Sequence, residues 1–134
     1  LEIVGIRIAM FRDTKGVAHA LEDRCPHRLL PLSKGKCLGD TIQCGYHGMT
    51  FDTAGKCVRV PGQDNTPERA YVQAFPVKEL HGIIWVWMGD PKLADEDKIF
   101  DIHFIVFYFL LKGHYQNKKM LVIFGTKRNS SVNS

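Results

Sequence analysis

Two short segments, CPHR at Cys25–Arg28 and CGYHG at Cys44–Gly48, constrain this chain more than anything else in its 134 residues. Each joins a thiol to an imidazole: Cys25-x-His27, sixteen intervening residues, then Cys44-x-x-His47. With only four cysteines and six histidines in the chain, coincidence is a poor account of two such pairs. A fold that uses them must bring two loops side by side so that four metal-binding side chains converge. Pro26 stiffens the first loop, and Gly45 and Gly48 permit a tight backbone in the second.

Two metal readings stand beside coincidence. Two thiolates and two imidazoles suit a closed tetrahedral zinc. They equally suit a [2Fe–2S] cluster in which two Cys hold one iron and two His hold the other. A zinc finger of this ligand type draws its two Cys from one loop and its two His from a helix. Here each loop supplies one of each, as two loops would if each gave one ligand to each iron.

The remainder of the chain predicts strands and turns with little helix. The run EIVGIRIAMFRD alternates, DTKG makes a turn, and VAHALED returns as a hairpin partner. DTIQC and MTFDTAGKCVRV predict further strands, the latter turning at DTAG, and PGQDNTPERA is a loop. YVQAFPVKEL and HGIIWVWMGD predict a closing hairpin. In the second of these Ile83, Trp85 and Trp87 alternate with Ile84, Val86 and Met88, so both faces are apolar, as in a central strand. PKLADEDK reads as a charged loop. Short strands with a turn every few residues predict an all-β fold, a small antiparallel β-sandwich with two ligand-bearing loops.

The charge distribution speaks against a nucleic-acid partner. Residues 1–101 carry 13 Lys/Arg against 14 Asp/Glu, whereas 102–134 carry five bases and no acid. The net charge of +4 therefore belongs to the tail; a basic tail can touch phosphate or lipid, but a solvated or unstructured end is the favoured reading. The longest apolar run, Phe104–Leu111, is far short of the ~20 residues of a membrane helix. The first residues do not read as a signal peptide. The chain starts at Leu1 inside an apolar run, which predicts a preceding segment. Cysteines packaged with histidines favour a cytoplasmic metal protein over a secreted disulfide framework. Cys37 and Cys57 lie outside the loops and read as buried or half-buried small hydrophobes, with a Cys37–Cys57 disulfide as the alternative in an oxidising compartment. His19 reads as a surface side chain and Trp85 and Trp87 as core.

From about Ile3 to Asp101 the phrases ALEDRCPHRLLPLSKG, IQCGYHGMTFDTAGKCVRVPG and AFPVKELHGIIWVWMGDP resemble Rieske non-haem iron oxygenases, most of all terminal oxygenase subunits of the vanillate O-demethylase type. The resemblance implies the Rieske [2Fe–2S] fold over residues 1–101. It makes Cys25 and Cys44 ligands of the inner iron and His27 and His47 ligands of the outer one. It further implies a ferredoxin or flavin reductase as electron donor, an aromatic acid as substrate of the full-length enzyme, and a homotrimeric parent. Respiratory Rieske proteins brace their loops with an extra disulfide and place a serine after the second loop. Here Leu30, Tyr46 and Met49 stand at those positions, which implies a potential near the low end of the roughly −150 to +300 mV Rieske range. Tyr46 is expected to pack over the cluster and shield it from water.

The same family carries a mononuclear Fe(II) in a second domain, held by two His and a carboxylate. This sequence has no such motif: His103 and His114 are eleven residues apart, and the likeness ends near Ile102. KGHYQ resembles the start of that catalytic domain only faintly, and residues 102–134 read as a divergent or truncated tail. The expectation is an electron-transfer domain of an oxygenase, with a structural zinc module and a stand-alone Rieske ferredoxin as alternatives.

Overall fold

The computed structural model of the chain describes residues 1–80 and 82–99 and the backbone of 121–124. It divides into two compact units, Leu1–Phe75 and Pro76–Ser134. His81, His103, His114 and all of the 102–134 tail except 121–124 lie outside the described residues.

The first unit is built from two four-stranded antiparallel sheets. One has the order β1-β2-β3-β8, from β1 (Glu2–Ile3), β2 (Ile6–Arg12), β3 (Ala18–Glu22) and β8 (Ala74–Phe75). The alternating run at the start is split by a two-residue turn, Val4–Gly5, with φ of 50° and 76°. Paired positive φ is the turn geometry that matches strand twist in a tight hairpin. β2 and β3 pair from Ile8↔Glu22 to Arg12↔Ala18, as the alternation predicts. Their turn is organised by Asp13, whose carboxylate accepts from the amides of Lys15 (2.9 Å) and Val17 (2.8 Å) and meets His19 Nε2 at 3.0 Å. His19 is thus a half-buried partner of that turn, not a free surface side chain.

The other sheet runs β4-β5-β6-β7 in sequence order: β4 (Lys36–Leu38), β5 (Thr41–Gln43), β6 (Thr50–Asp52) and β7 (Cys57–Arg59). β4 gives no sequence signal, because its three residues are all exposed and show no alternation. The core draws on both sheets, with Phe11 and Leu21 from one and Ile42 and Phe51 from the other, joined by Leu32. Leu32 opens a 3₁₀ turn, Leu32–Lys34, between β3 and β4. The arrangement fixes both loops of interest. The segment carrying Cys25 and His27 leaves the end of β3, and the segment carrying Cys44 and His47 connects β5 to β6.

In the second unit β9 (Val77–Leu80) and β10 (Ile83–Trp87) form the expected hairpin, with Ile83 opposite Leu80. β11 (Leu121–Phe124) pairs parallel to β10 on its other edge, so β10 is central. Trp85 and Trp87 are buried, and Trp87 Nε1 donates to the Asp90 carbonyl at 2.8 Å. Pro76, which has no N–H to give a ladder, separates β8 from β9 in what reads from sequence as one strand. The charged segment after β10 is two 3₁₀ turns, Pro91–Leu93 and Glu96–Lys98, capped by the Asp90 and Asp95 carboxylates. No helix among the described residues is long and apolar enough to cross a membrane.

Candidate metal centre

The two Cys–His loops have one backbone design. In the first, the Cys25 amide donates to the Leu30 carbonyl and the Leu29 amide to the Cys25 carbonyl, both at 2.8 Å. In the second, the Cys44 amide donates to the Met49 carbonyl (2.8 Å) and the Gly48 amide to the Cys44 carbonyl (3.1 Å). The offsets from the cysteine are the same in both loops. So is the conformation of the fifth residue, which is left-handed: Leu29 at φ 58° and Gly48 at φ 74°. Gly48 suits that position twice over, since a Cβ there would also stand 2.9 Å from Pro61 Cγ. Gly45 is favoured by proximity instead, a Cβ there making a tight 3.2 Å approach to the Lys34 carbonyl oxygen.

The histidine is the third residue of one loop and the fourth of the other, yet the two imidazoles meet. His27 Nδ1 and His47 Nδ1 are 3.1 Å apart. Two nitrogens at that separation can both reach one ion over bonds of about 2.0–2.1 Å. Both histidines are exposed at the loop tips, whereas Cys25 (2% exposed) and Cys44 (4%) belong to the core. They line one narrow cleft together with Leu30, Tyr46 and Met49. The Tyr46 ring lies 3.7 Å from the His47 ring, centroid to centroid. Tyr46 is itself 58% exposed, so it covers the face of His47 without sealing the site from water.

Burial pushes the Cys25 thiol above its ordinary pKa; the His27 amide opposes this, and the neighbouring Cys44 thiol adds to it. Both thiols are free, and a metal taken up here must displace their protons. Among the described residues no three His, Cys, Asp or Glu side chains stand close enough to surround one ion. Tetrahedral zinc needs four donors about a single centre. Donors divided two and two, thiols deep and imidazoles at the surface, fit a dinuclear cluster.

Other cysteines take no part. Cys57 is buried, and burial raises its pKa, whereas Cys37 is exposed, contrary to the expectation of a buried or half-buried thiol. They lie in one row of the second sheet, Cys37↔Ile42↔Phe51↔Cys57. Three strand spacings, about 14 Å, exceed the roughly 7 Å limit between Cα atoms of a disulfide. Sequence reasoning missed Asp23 and Ser33 altogether. Asp23 is 4% exposed, and its carboxylate accepts from the Ser33 amide (2.7 Å) and hydroxyl (2.6 Å). The signal was a carboxylate two residues before a predicted ligand and a Ser at the head of the next segment, which is weak without coordinates.

An all-β frame that presents two matching loops, each with a buried thiol and an exposed imidazole, defines a Rieske-type iron–sulfur domain. Residues 1–76 match the Rieske [2Fe-2S] domain family, and the chain belongs to it. It is 47% identical over 96 residues to the oxygenase component of chloroacetanilide N-alkylformylase from Rhizorhabdus wittichii, covering 72% of this chain and 28% of that protein. It is 43% identical over 89 residues to the vanillate O-demethylase oxygenase subunit of a Pseudomonas species, covering 66% of this chain and 27% of that protein. The crystal structure of dicamba monooxygenase bound to dicamba superposes with a TM-score of 0.72 at 44% identity, covering 75% of this chain and 30% of that one. The chain thus spans less than a third of the length of each of these proteins.

Proposed function

We propose that this chain is the electron-transfer domain of a Rieske-type aromatic oxygenase, with residues 1–101 as the functional domain and 102–134 as a divergent tail. Cys25 and Cys44 hold the buried iron of a [2Fe–2S] cluster, and His27 and His47 hold the exposed one. The observation that carries this reading is the pair of imidazole Nδ1 atoms 3.1 Å apart above two buried thiols. When bound, the cluster supplies one-electron redox chemistry. The protein's share is to keep the thiolates in the dry core and to bring the imidazoles to the surface, where an electron has a short path in and out. The donor is a ferredoxin or flavin reductase in the cytoplasm, and the acceptor is a mononuclear Fe(II) site for which residues 1–134 have no motif. The full-length oxygenase, a homotrimer, acts on an aromatic acid. Similarity to the oxygenase components named above supports this assignment.

Chemical analysis and EPR test it. The aerobically purified chain should contain about two irons and two acid-labile sulfides. Its reduced form should give a rhombic signal with average g below the free-electron value. A colourless protein with one zinc per chain would overturn the assignment.

A further inference from the structure

We propose that Asp23 is the positioning residue of the first cluster loop: its carboxylate, closed on Ser33, does for that loop what strand pairing does for the second. This rests on the ligand assignment above and extends it to a residue outside the ligand set. The two loops share their internal hydrogen bonds but not their anchorage. The second loop is clamped at its base by Gln43↔Thr50, a register pair of β5 and β6. The first has no such pair, because β3 ends at Glu22 and the 3₁₀ turn and β4 follow only at Leu32 and Lys36. The Asp23 side chain closes that gap, accepting from both the amide and the hydroxyl of Ser33. Its own amide donates to the Arg7 carbonyl of β2 at 2.7 Å, so the clamp is rooted in the first sheet. Leu32, fully buried, fixes the far side.

Burial and backbone conformation support the same role. Among the described residues the buried polar side chains are Asp23 and Thr50, one beside each loop. A carboxylate withdrawn from water is tolerated where its oxygens are hydrogen-bonded, as here. The first loop also has more to hold. Its left-handed fifth position is filled by Leu29, where the second loop has a glycine, and a leucine disfavours that region. The clamp closes the loop around a strained residue.

Hydrogen exchange of the full 134-residue chain, read by mass spectrometry, tests the proposal with the second loop as internal reference. Ser33→Ala should speed exchange of the 24–31 segment about tenfold, the scale of one lost hydrogen bond, and leave 44–49 unchanged. Ser33→Thr, which keeps the hydroxyl, should restore protection. Leu29→Gly placed in the Ser33→Ala chain should slow exchange again by relieving the left-handed residue. The iron-loaded Ser33→Ala chain should also show an altered visible circular dichroism spectrum, and Ser33→Thr the wild-type one. Asp23→Ala should exceed Ser33→Ala in effect, but the serine variants decide the matter even if it fails to fold. Equal acceleration in both loops, or none in the first, would overturn the clamp. A wild-type chain that takes up no iron would instead overturn the ligand assignment, while the exchange comparison still decides the clamp.

Discussion

Charge separates the two kinds of ligand more than size does. A thiolate brings a negative charge to its iron, whereas a neutral imidazole brings none, and on this assignment the iron that cycles is the one held by His27 and His47. Replacing either histidine by cysteine should therefore leave a [2Fe–2S] chromophore at best and lower its potential toward the about −400 mV of all-cysteine centres. Potentiometric titration checks this, and an unchanged midpoint in both His27→Cys and His47→Cys would show that the imidazoles are not ligands. The four proposed donors stand out in the sequence because Cys and His are scarce and their spacing is regular. The left-handed Leu29 does not, since no residue type marks it, and the contact of Asp23 with Ser33 joins residues ten positions apart with no periodicity between them.

At the level of elements, the β2–β3 and β6–β7 hairpins were readable from alternation and turn residues, whereas the Val4–Gly5 turn was not, and the first unit gives two further expectations. The β2–β3 turn depends on Asp13, whose pKa is held below its ordinary value, first by the hydrogen bond to His19 and then by the Val17 and Lys15 amides, against some desolvation. A folded-state pKa below the unfolded one stabilises the fold above about pH 4, and that contribution is lost as pH falls through the lowered value. Asp13→Asn should remove this part of the acid sensitivity, so urea midpoints of variant and wild type should converge on going from pH 6 to pH 3. The junction from the 3₁₀ turn into β4 is tighter than its sequence suggests. A Cβ on Gly35 would collide with the Gln43 carbonyl, which is backbone and cannot swing away. Gly35→Ala should cost about 3 kcal/mol, the upper end of ordinary single substitutions, measured as a lowered urea midpoint with poorer cluster retention. What hid β4 was its length and full exposure, and what hid the β8/β9 break was a proline inside an otherwise apolar run.

For the whole molecule, the ligand inventory sets what the chain can do with an electron. A Rieske centre is coordinatively filled by four protein ligands and its sulfides, so O₂ finds no open iron on it. Oxygen activation in non-haem enzymes needs a second site of the two-His-one-carboxylate kind with free positions. No motif of that kind is legible from Leu1 to Ser134, where the remaining histidines stand at 19, 81, 103 and 114. On the proposed assignment, electrons that reach His27 and His47 leave to a partner. The 134-residue chain, loaded with its cluster and given a matched reductase, should accept electrons and yield no hydroxylated or demethylated product from vanillate-like acids. Turnover scored by product, with reductant oxidation followed separately, distinguishes the outcomes. Oxidation without product leaves the electron-transfer assignment standing. Product coupled to reductant consumption would mean that these 134 residues build a second iron site from donors outside the two loops.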